Sequence, residues 1–430
     1  MKAAVVGGGS SYTPELVEGF IERNDELPVE ELCLMDIDGQ KLETVGAFAG
    51  RMVRAANSRI KLRTTTNLND AVRDARFVIA QIRVGGNAAR IQDEKLGLRH
   101  GIIGQETTGV GGFACALRTI PKILDIARAI ESEAPDATLI NFTNPSGIIT
   151  EAMHKHSDVN VIGLCNVPIW FVKSVATSFG VPASSVRLTC VGLNHLTWFT
   201  AVQVDGKDVF KDAVDIYLSE EDPNGAWGRV APRVVSMLGM IPNDYLKYYY
   251  TTQEMYEEIK NKPLTRGEEV AQIEGELLRL YQDEKLDRKP AELSRRGGAY
   301  YSVAALDLMV SIWSDRGDVQ ILDVPNRGAV PGFGDAVVVE IPCVVDKRGA
   351  TAIQQHQPPP IVRGLMHSVK AYEELTIEAA VKRDKNAALM ALVTHPLCPG
   401  IAGSEKLLDE LLAVNSTCLD GWNWIKQAVL

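Results

Sequence analysis

The N-terminal stretch constrains this chain more than any other. Ala3-Ala4-Val5-Val6 is a short apolar strand, Gly7-Gly8-Gly9-Ser10-Ser11-Tyr12 a glycine-rich turn, and Thr13-Pro14-Glu15 a helix start with Thr13 as cap and Pro14 in the first turn. Strand, turn and helix in that order form a βα phosphate loop. Glycines at 7 and 9 permit a tight turn and let backbone amides approach a pyrophosphate at the helix N-terminus. Tyr12 stands where a third glycine would complete the G-x-G-x-x-G fingerprint. A second strand, Glu31 to Met35, ends in Asp36, an acid placed to take ribose hydroxyls. Gly7, Gly8, Gly9, Ser10 and Asp36 are therefore expected to hold a dinucleotide, and the carboxylate favours NAD over its 2′-phosphorylated relative. The competing reading is an ordinary turn and a solvated acid.

The alternation continues. Ile60 to Thr65, Phe77 to Gln81, Ala137 to Asn141 and Val159 to Leu164 read as strands, with helical stretches such as Ala116 to Ser132 between them. This predicts an α/β protein whose residues 1–165 form a Rossmann-like, doubly wound parallel sheet. Further on the pattern weakens into a possible antiparallel segment (Thr197 to Val204), acidic loops near Glu220 to Asp222, a strand from Val337 to Val345 and mostly helix from Ile361 to Val414, broken at His395-Pro396. Residues 166–430 are thus expected to form a C-terminal α+β, largely helical domain that carries substrate, metal and oligomer contacts. Two domains suit 430 residues, because single domains usually span ~100–200.

Composition excludes several classes. No apolar run reaches the ~18 residues of a membrane span, so a membrane partner is not expected. A net charge of −10 argues against nucleic acid as a general partner, and any anionic ligand must find a local basic pocket. Seven cysteines without a Cys-x-x-Cys pair fit reduced thiols, and the chain enters a strand at once without a signal-like succession, so a cytoplasmic location is expected.

Chemistry concentrates at strand ends. Gly163-Leu164-Cys165-Asn166-Val167-Pro168 follows the strand Val159 to Ile162, where open parallel sheets place ligand crevices, so Cys165 is expected to face a cleft. Gly192-Leu193-Asn194-His195 follows a second β-rich segment, and the sulfur and imidazole make a plausible metal pair. A lone Cys near a strand end also reads as core filler. Arg83 and Arg90 flank a Gly turn and match phosphate, or else are surface solvation. Gly104 to Gly112 is polar and glycine-dense and reads as a lining or lid. Asn141 and Asn144 suit sugar hydroxyls or phosphate, and equally make Asx turns. In the cluster Tyr245 to Tyr250, Tyr245 follows Pro242-Asn243-Asp244 near a helix start, where a dipole favours a phenolate; the rest reads as core. Arg266 opens another helix, capped by Thr265 or punctuated by Pro263. The remaining histidines form no metal cluster.

Taken together, the Gly7–Ser10 loop, Asp36, Arg83-Val84-Gly85-Gly86, Gln105-Glu106-Thr107-Thr108-Gly109, Asn144-Pro145, Cys165-Asn166-Val167-Pro168, Gly192-Leu193-Asn194-His195 and Tyr245-Leu246-Lys247-Tyr248-Tyr249 resemble glycoside hydrolase family 4 across nearly the whole chain. This NAD-dependent family is an exception to two-carboxylate glycoside hydrolysis. The resemblance implies hydride transfer from C3 of the sugar to NAD⁺, loss of the C2 proton, elimination of the aglycone, water addition and return of the hydride. It implies a divalent metal, Mn²⁺ in most members, on Cys165, His195 and the sugar O2 and O3. It makes Tyr245 the C2 base, and Arg90, Asn144 and Arg266 substrate contacts. Asn166 stands where α-specific members carry an Asp acid, so the chain looks like a 6-phospho-β-glucosidase for phosphorylated cellobiose-like disaccharides, forming a homodimer or homotetramer as the family usually does. Val84 departs from the Pro of some β-specific members. Other family 4 specificities, a 2-hydroxy-acid dehydrogenase and a non-enzymatic NAD-binding regulator are the alternatives. The dehydrogenase needs no thiol ligand, and the regulator has no use for Cys165, His195 and Tyr245 together.

Overall fold

The structure is a computed structural model that describes residues 1–219, 230–297, 300–419 and 422. The acidic loop expected near Glu220 to Asp222 lies outside them. The strands are β1 (Lys2–Val6), β2 (Glu31–Met35), β3 (Lys61–Thr65), β4 (Phe77–Ala80), β5 (Thr138–Asn141), β6 (Asn160–Gly163), β7 (Val186–Leu193), β8 (Leu196–Val204), β9 (Lys207–Asp208), β10 (Ile241–Pro242), β11 (Asp318–Pro325), β12 (Val338–Asp346) and β13 (Gly349–Ala352). β1, β2, β4, β5 and β6 are short and almost wholly buried, as apolar runs covered on both faces must be. They pair in parallel with β3 in the order β3-β2-β1-β4-β5-β6. The order reverses between β1 and β4, and the crevice beyond the carboxyl ends of these two strands is where such sheets receive ligands.

The sheet does not end with residue 165. β11, β12 and β13 add antiparallel strands to its β6 edge, through the pairing of Asp323 with Gly163, to make nine strands. One apolar core runs through both halves of the chain, from Val5 and Ile79 to Leu308, Ile341 and Leu411. The division at 165 therefore separates stretches of chain and does not separate cores. A second sheet, β10-β8-β7 with β9 on β8, packs its own small core against Phe171 and Val175 of the helix Asn166–Phe179. The helix Arg266–Tyr281 returns to the N-terminal part: Tyr281 stacks on Phe48 at 4.5 Å and its hydroxyl donates to the Ser11 carbonyl at 2.7 Å.

Two local expectations change. The first helix spans Thr13–Glu22 with Tyr12 in the cap position, because the Thr13 hydroxyl is buried and accepts from Gln81 Nε2 at 2.9 Å instead of capping. The glycine-dense stretch up to Gly112 is partly helix, since Gly109–Glu133 is continuous. A Cβ on Gly111 would lie 2.0 Å from the Gln105 carbonyl oxygen, so glycine here serves close packing and not flexibility. Among the described residues no helix is long and apolar enough to cross a membrane.

Candidate active site

A cavity of about 1150 Å³ opens at the reversal of strand order. Gly7, Gly9, Ser10 and Asp36 line one part of it, and Arg90, Asn144, Asn166, Tyr245 and Arg266 line another. The loop after β1 is held tightly. Gly7 takes φ +91°, and a Cβ on Gly8 would meet Leu34 Cβ at 2.8 Å, so Gly8 packs on β2 and is absent from the lining. Gly7 and Gly8 both donate their amides to the Met35 carbonyl, and Gly9 donates to Asp36 Oδ2 at 2.9 Å. Much of the loop's donor capacity thus faces inward, and what the glycines give a ligand is close approach.

Cys165 caps the helix Asn166–Phe179, its sulfur accepting from the Val167 amide at 3.5 Å. It is 3% exposed and does not line the cavity, so the expectation of a cleft-facing thiol is corrected: the group is enclosed below the surface. Burial, with Glu340 adding to it, pushes this thiol well above its ordinary pKa. His195 follows β7 with φ +61° and is also buried. Its ring lies parallel to that of Tyr245, centroids 3.8 Å apart and planes within 2°. Burial lowers the His195 pKa to about 4 and, with Glu106, raises that of the Tyr245 phenol well above normal. By themselves, then, thiol, imidazole and phenol are all neutral at pH 7.

The hydrogen-bond network also assigns the His195 tautomer. Thr107 Oγ1 lies 3.0 Å from Gln105 Oε1, an acceptor, and 3.1 Å from His195 Nδ1. A hydroxyl has one proton. With that proton on Gln105, Nδ1–H donates to Thr107 and Nε2 keeps its lone pair, the state a metal ligand needs. Among the described residues no three His, Cys, Asp or Glu side chains converge on a cation position. A sulfur and an imidazole suit a first-row divalent transition ion better than Ca²⁺ or Mg²⁺.

The basic residues are paired. Arg83 and Arg90 each bring a guanidinium nitrogen 2.9 Å from Glu106 Oε2, and Arg90 Nε donates to Glu94 at 2.8 Å. Arg266, the first residue of its helix behind a Thr265–Glu268 capping box, reaches Glu269 and the carbonyls of Arg295 and Arg296.

Two family matches together cover most of the chain. Residues 2–181 match the family 4 glycosyl hydrolases, and residues 190–398 match the C-terminal domain of the same family. A probable 6-phospho-beta-glucosidase of Bacillus subtilis is 43% identical over 432 residues, 97% of each chain. The chain belongs to glycosyl hydrolase family 4. A phospho-alpha-glucosidase of Clostridium acetobutylicum shares 28% identity over 96% of this chain and 97% of its own. The solved structure of the 6-phospho-beta glucosidase from Thermotoga maritima with manganese, NAD⁺ and glucose-6-phosphate superposes with a TM-score of 0.90 at 38% identity, covering 97% of this chain and 98% of that one.

Within this family 4 chain, several groups at the site were not singled out from sequence. Glu106, the one acid of the glycine-dense stretch, joins both arginines and raises the Tyr245 pKa. Arg296 donates to Ser11 Oγ at 2.7 Å, stands over the Tyr12 ring and lines the cavity. Glu340 is a lone charge in the apolar run of β12, which is the signal that could have marked it. Burial raises its pKa to about 7.

Proposed function

We propose that this chain hydrolyses 6-phospho-β-glucosides, cellobiose 6-phosphate among them, with NAD and a divalent metal such as Mn²⁺ as resident cofactors. The observation that carries this is the continuous cavity lined from Asp36 to Tyr245, with the buried His195 ring stacked parallel on that of Tyr245. Gly7, Gly9 and Ser10 accommodate the pyrophosphate with Gly8 packed behind them on β2, and Asp36 takes the ribose. Cys165 and His195 hold the cation. When bound, NAD⁺ accepts hydride from C3 of the sugar and later returns it, and the cation supplies positive charge beside O2 and O3.

The chain's own groups do the rest. Tyr245 takes the proton from C2, and because burial opposes its ionisation it acts only with positive charge close by. Elimination then releases the aglycone from C1, water adds at C1, and C2 regains a proton before the hydride returns to C3. Asn166 stands at the first helical position after Cys165, and an amide cannot serve as an acid toward the leaving group, which supports the β-linked substrate over the α-linked one. Arg90 and Asn144 hold the 6-phosphate or the ring, with Arg90 shared by Glu94 and Glu106; Arg266 lies near the reacting hydroxyls. A substrate phosphorylated on import places the enzyme in the cytoplasm, and we infer a homodimer or homotetramer, which light scattering measures.

Hydrolysis of p-nitrophenyl 6-phospho-β-glucoside with and without NAD⁺, Mn²⁺ and thiol reductant is the test. Turnover requires both cofactors, and the unphosphorylated glucoside reacts far more slowly, since a charge-assisted hydrogen bond is worth ~1.5–3 kcal/mol. Equal kcat/KM on both glucosides, or turnover with net NADH release, overturns the reading.

A further inference from the structure

We propose that Asn194, held by Glu340, is a positioning residue that ties the two metal ligands Cys165 and His195 to each other. This rests on the reading of those residues as the metal pair. Asn194 and His195 form the two-residue turn between β7 and β8, closed by the pairing of Leu193 with Leu196. His195 occupies the left-handed region, where a non-glycine residue stays only if its surroundings hold it. The Asn194 amide carries two N–H bonds. Its Nδ2 donates to Glu340 Oε1 at 3.1 Å, and the same side chain lies close to the Cys165 sulfur. Asn194 thus sets its side chain beside one ligand and is joined through its backbone to the other.

Glu340 is anchored in turn. Its other oxygen bonds the hydroxyl of Thr197, which also reaches the Leu193 carbonyl at 2.8 Å, so the turn is held on both sides. On the β11–β12 ladder Glu340 stands directly opposite Asp323. Asp323 accepts from Ser146 Oγ at 2.6 Å and pairs by its backbone with Gly163, two residues before Cys165. Asp323 and Glu340 are almost completely buried, at 0% and 1% exposure. Two carboxyl groups facing each other inside a core cost stability that apolar residues would not, so packing alone does not account for them. Their contacts converge on Ser146, on Gly163 two residues before Cys165, and on Asn194 and Thr197 around His195, and a shared brace for the ligands does account for them.

The test measures Mn²⁺ affinity by electron paramagnetic resonance of free Mn²⁺ on the full-length protein, NAD⁺ affinity by fluorescence titration, and the thiolate-to-metal absorption band of the Co²⁺ form. Asn194→Ala weakens Mn²⁺ binding ~10–100-fold and shifts the Co²⁺ band while NAD⁺ affinity stays within about twofold, the scale expected when a ligand's support is removed. Glu340→Leu reproduces this, whereas Glu340→Gln, which keeps an acceptor for Asn194 and gains a donor for Thr197, stays within about threefold of wild type. Asn194→Ala binding Mn²⁺ like wild type, or Mn²⁺ and NAD⁺ affinities falling together, overturns the inference. If the wild type itself holds no Mn²⁺, the metal pair falls and this inference falls with it.

Discussion

The two ends of the cavity are built on opposite principles. At the β1 end the work is done by backbone and by one acid at a strand tip; the loop is internally bonded, and Gly9 packs so closely that a Cβ would meet Asp36 Oδ2 at 2.9 Å. At the Tyr245 end the groups are neutral side chains from distant segments, Cys165 and His195 buried and Tyr245 half-buried with its ring on that of His195, and their pKa values are displaced by desolvation. The first end is complete before any ligand arrives. The second gains its reactive charge state only when positive charge comes near, so the dinucleotide site and the metal site should fail separately when mutated.

The largest separation is expected from Cys165→Ser. A serine hydroxyl does not ionise to a ligand anion, so Mn²⁺ retained after gel filtration falls to background, and activity falls further than the ~10–100-fold typical of altered ligand support. NAD⁺ affinity stays at the wild-type level. A metallated, active variant would remove Cys165 from the site and dissolve the contrast.

Tyr245→Phe comes next. It keeps the ring stacked on His195 and deletes the proton acceptor, and rates fall ~10²–10⁴-fold with Mn²⁺ and NAD⁺ affinities nearly unchanged. A near-wild-type rate would return Tyr245 to core packing.

At the other end Asp36→Ala removes a charged acceptor worth ~1.5–3 kcal/mol, which weakens NAD⁺ binding ~10–100-fold in calorimetry and leaves Mn²⁺ binding intact. Loss of both affinities would show that the ends are one unit.

The smallest effect is a proton count. The His195 pKa is depressed to about 4, so the ring is already neutral at pH 6, where an ordinary histidine near 6.5 is mostly charged. Mn²⁺ binding at pH 6 therefore releases about one proton, from the Cys165 thiol, in calorimetry across buffers of different ionisation enthalpy. A count near two would mean that the imidazole is charged before the metal binds.

The same contrast decides how much the sequence reveals. β1, the Gly7–Ser10 turn and Asp36 are legible because apolar runs, turn chemistry and strand-tip acids act locally. Cys165, His195 and Tyr245 stand out as residue types, and their stretches carry the family resemblance. That two rings would stack, or that the thiol would be enclosed, depends on how β7, β8 and the helix after β6 meet. Glu340 shows in the sequence only as a charge in an apolar run, and its role with Asp323 does not, because that lies in a ladder pairing between two distant strands. The role of Glu106 does not show in the sequence because its partners, Arg83 and Arg90, arrive from another segment. The stretch Gly104 to Gly112 reads as a lining, which it is over Gly104 to Thr107, but sequence shows Gly111's missing side chain and not the carbonyl pressed against it.

The central claim is that Tyr245 removes and later allows return of the C2 proton in a cavity where NAD takes up hydride at C3. Turnover of the 6-phospho-β-glucoside in D₂O, followed by NMR of the released sugar, tests it most directly. Deuterium at C2 of the product, absent from recovered substrate on Tyr245→Phe, is the predicted result. Product from the wild type that carries hydrogen alone at C2 would contradict the account and point to direct displacement at C1.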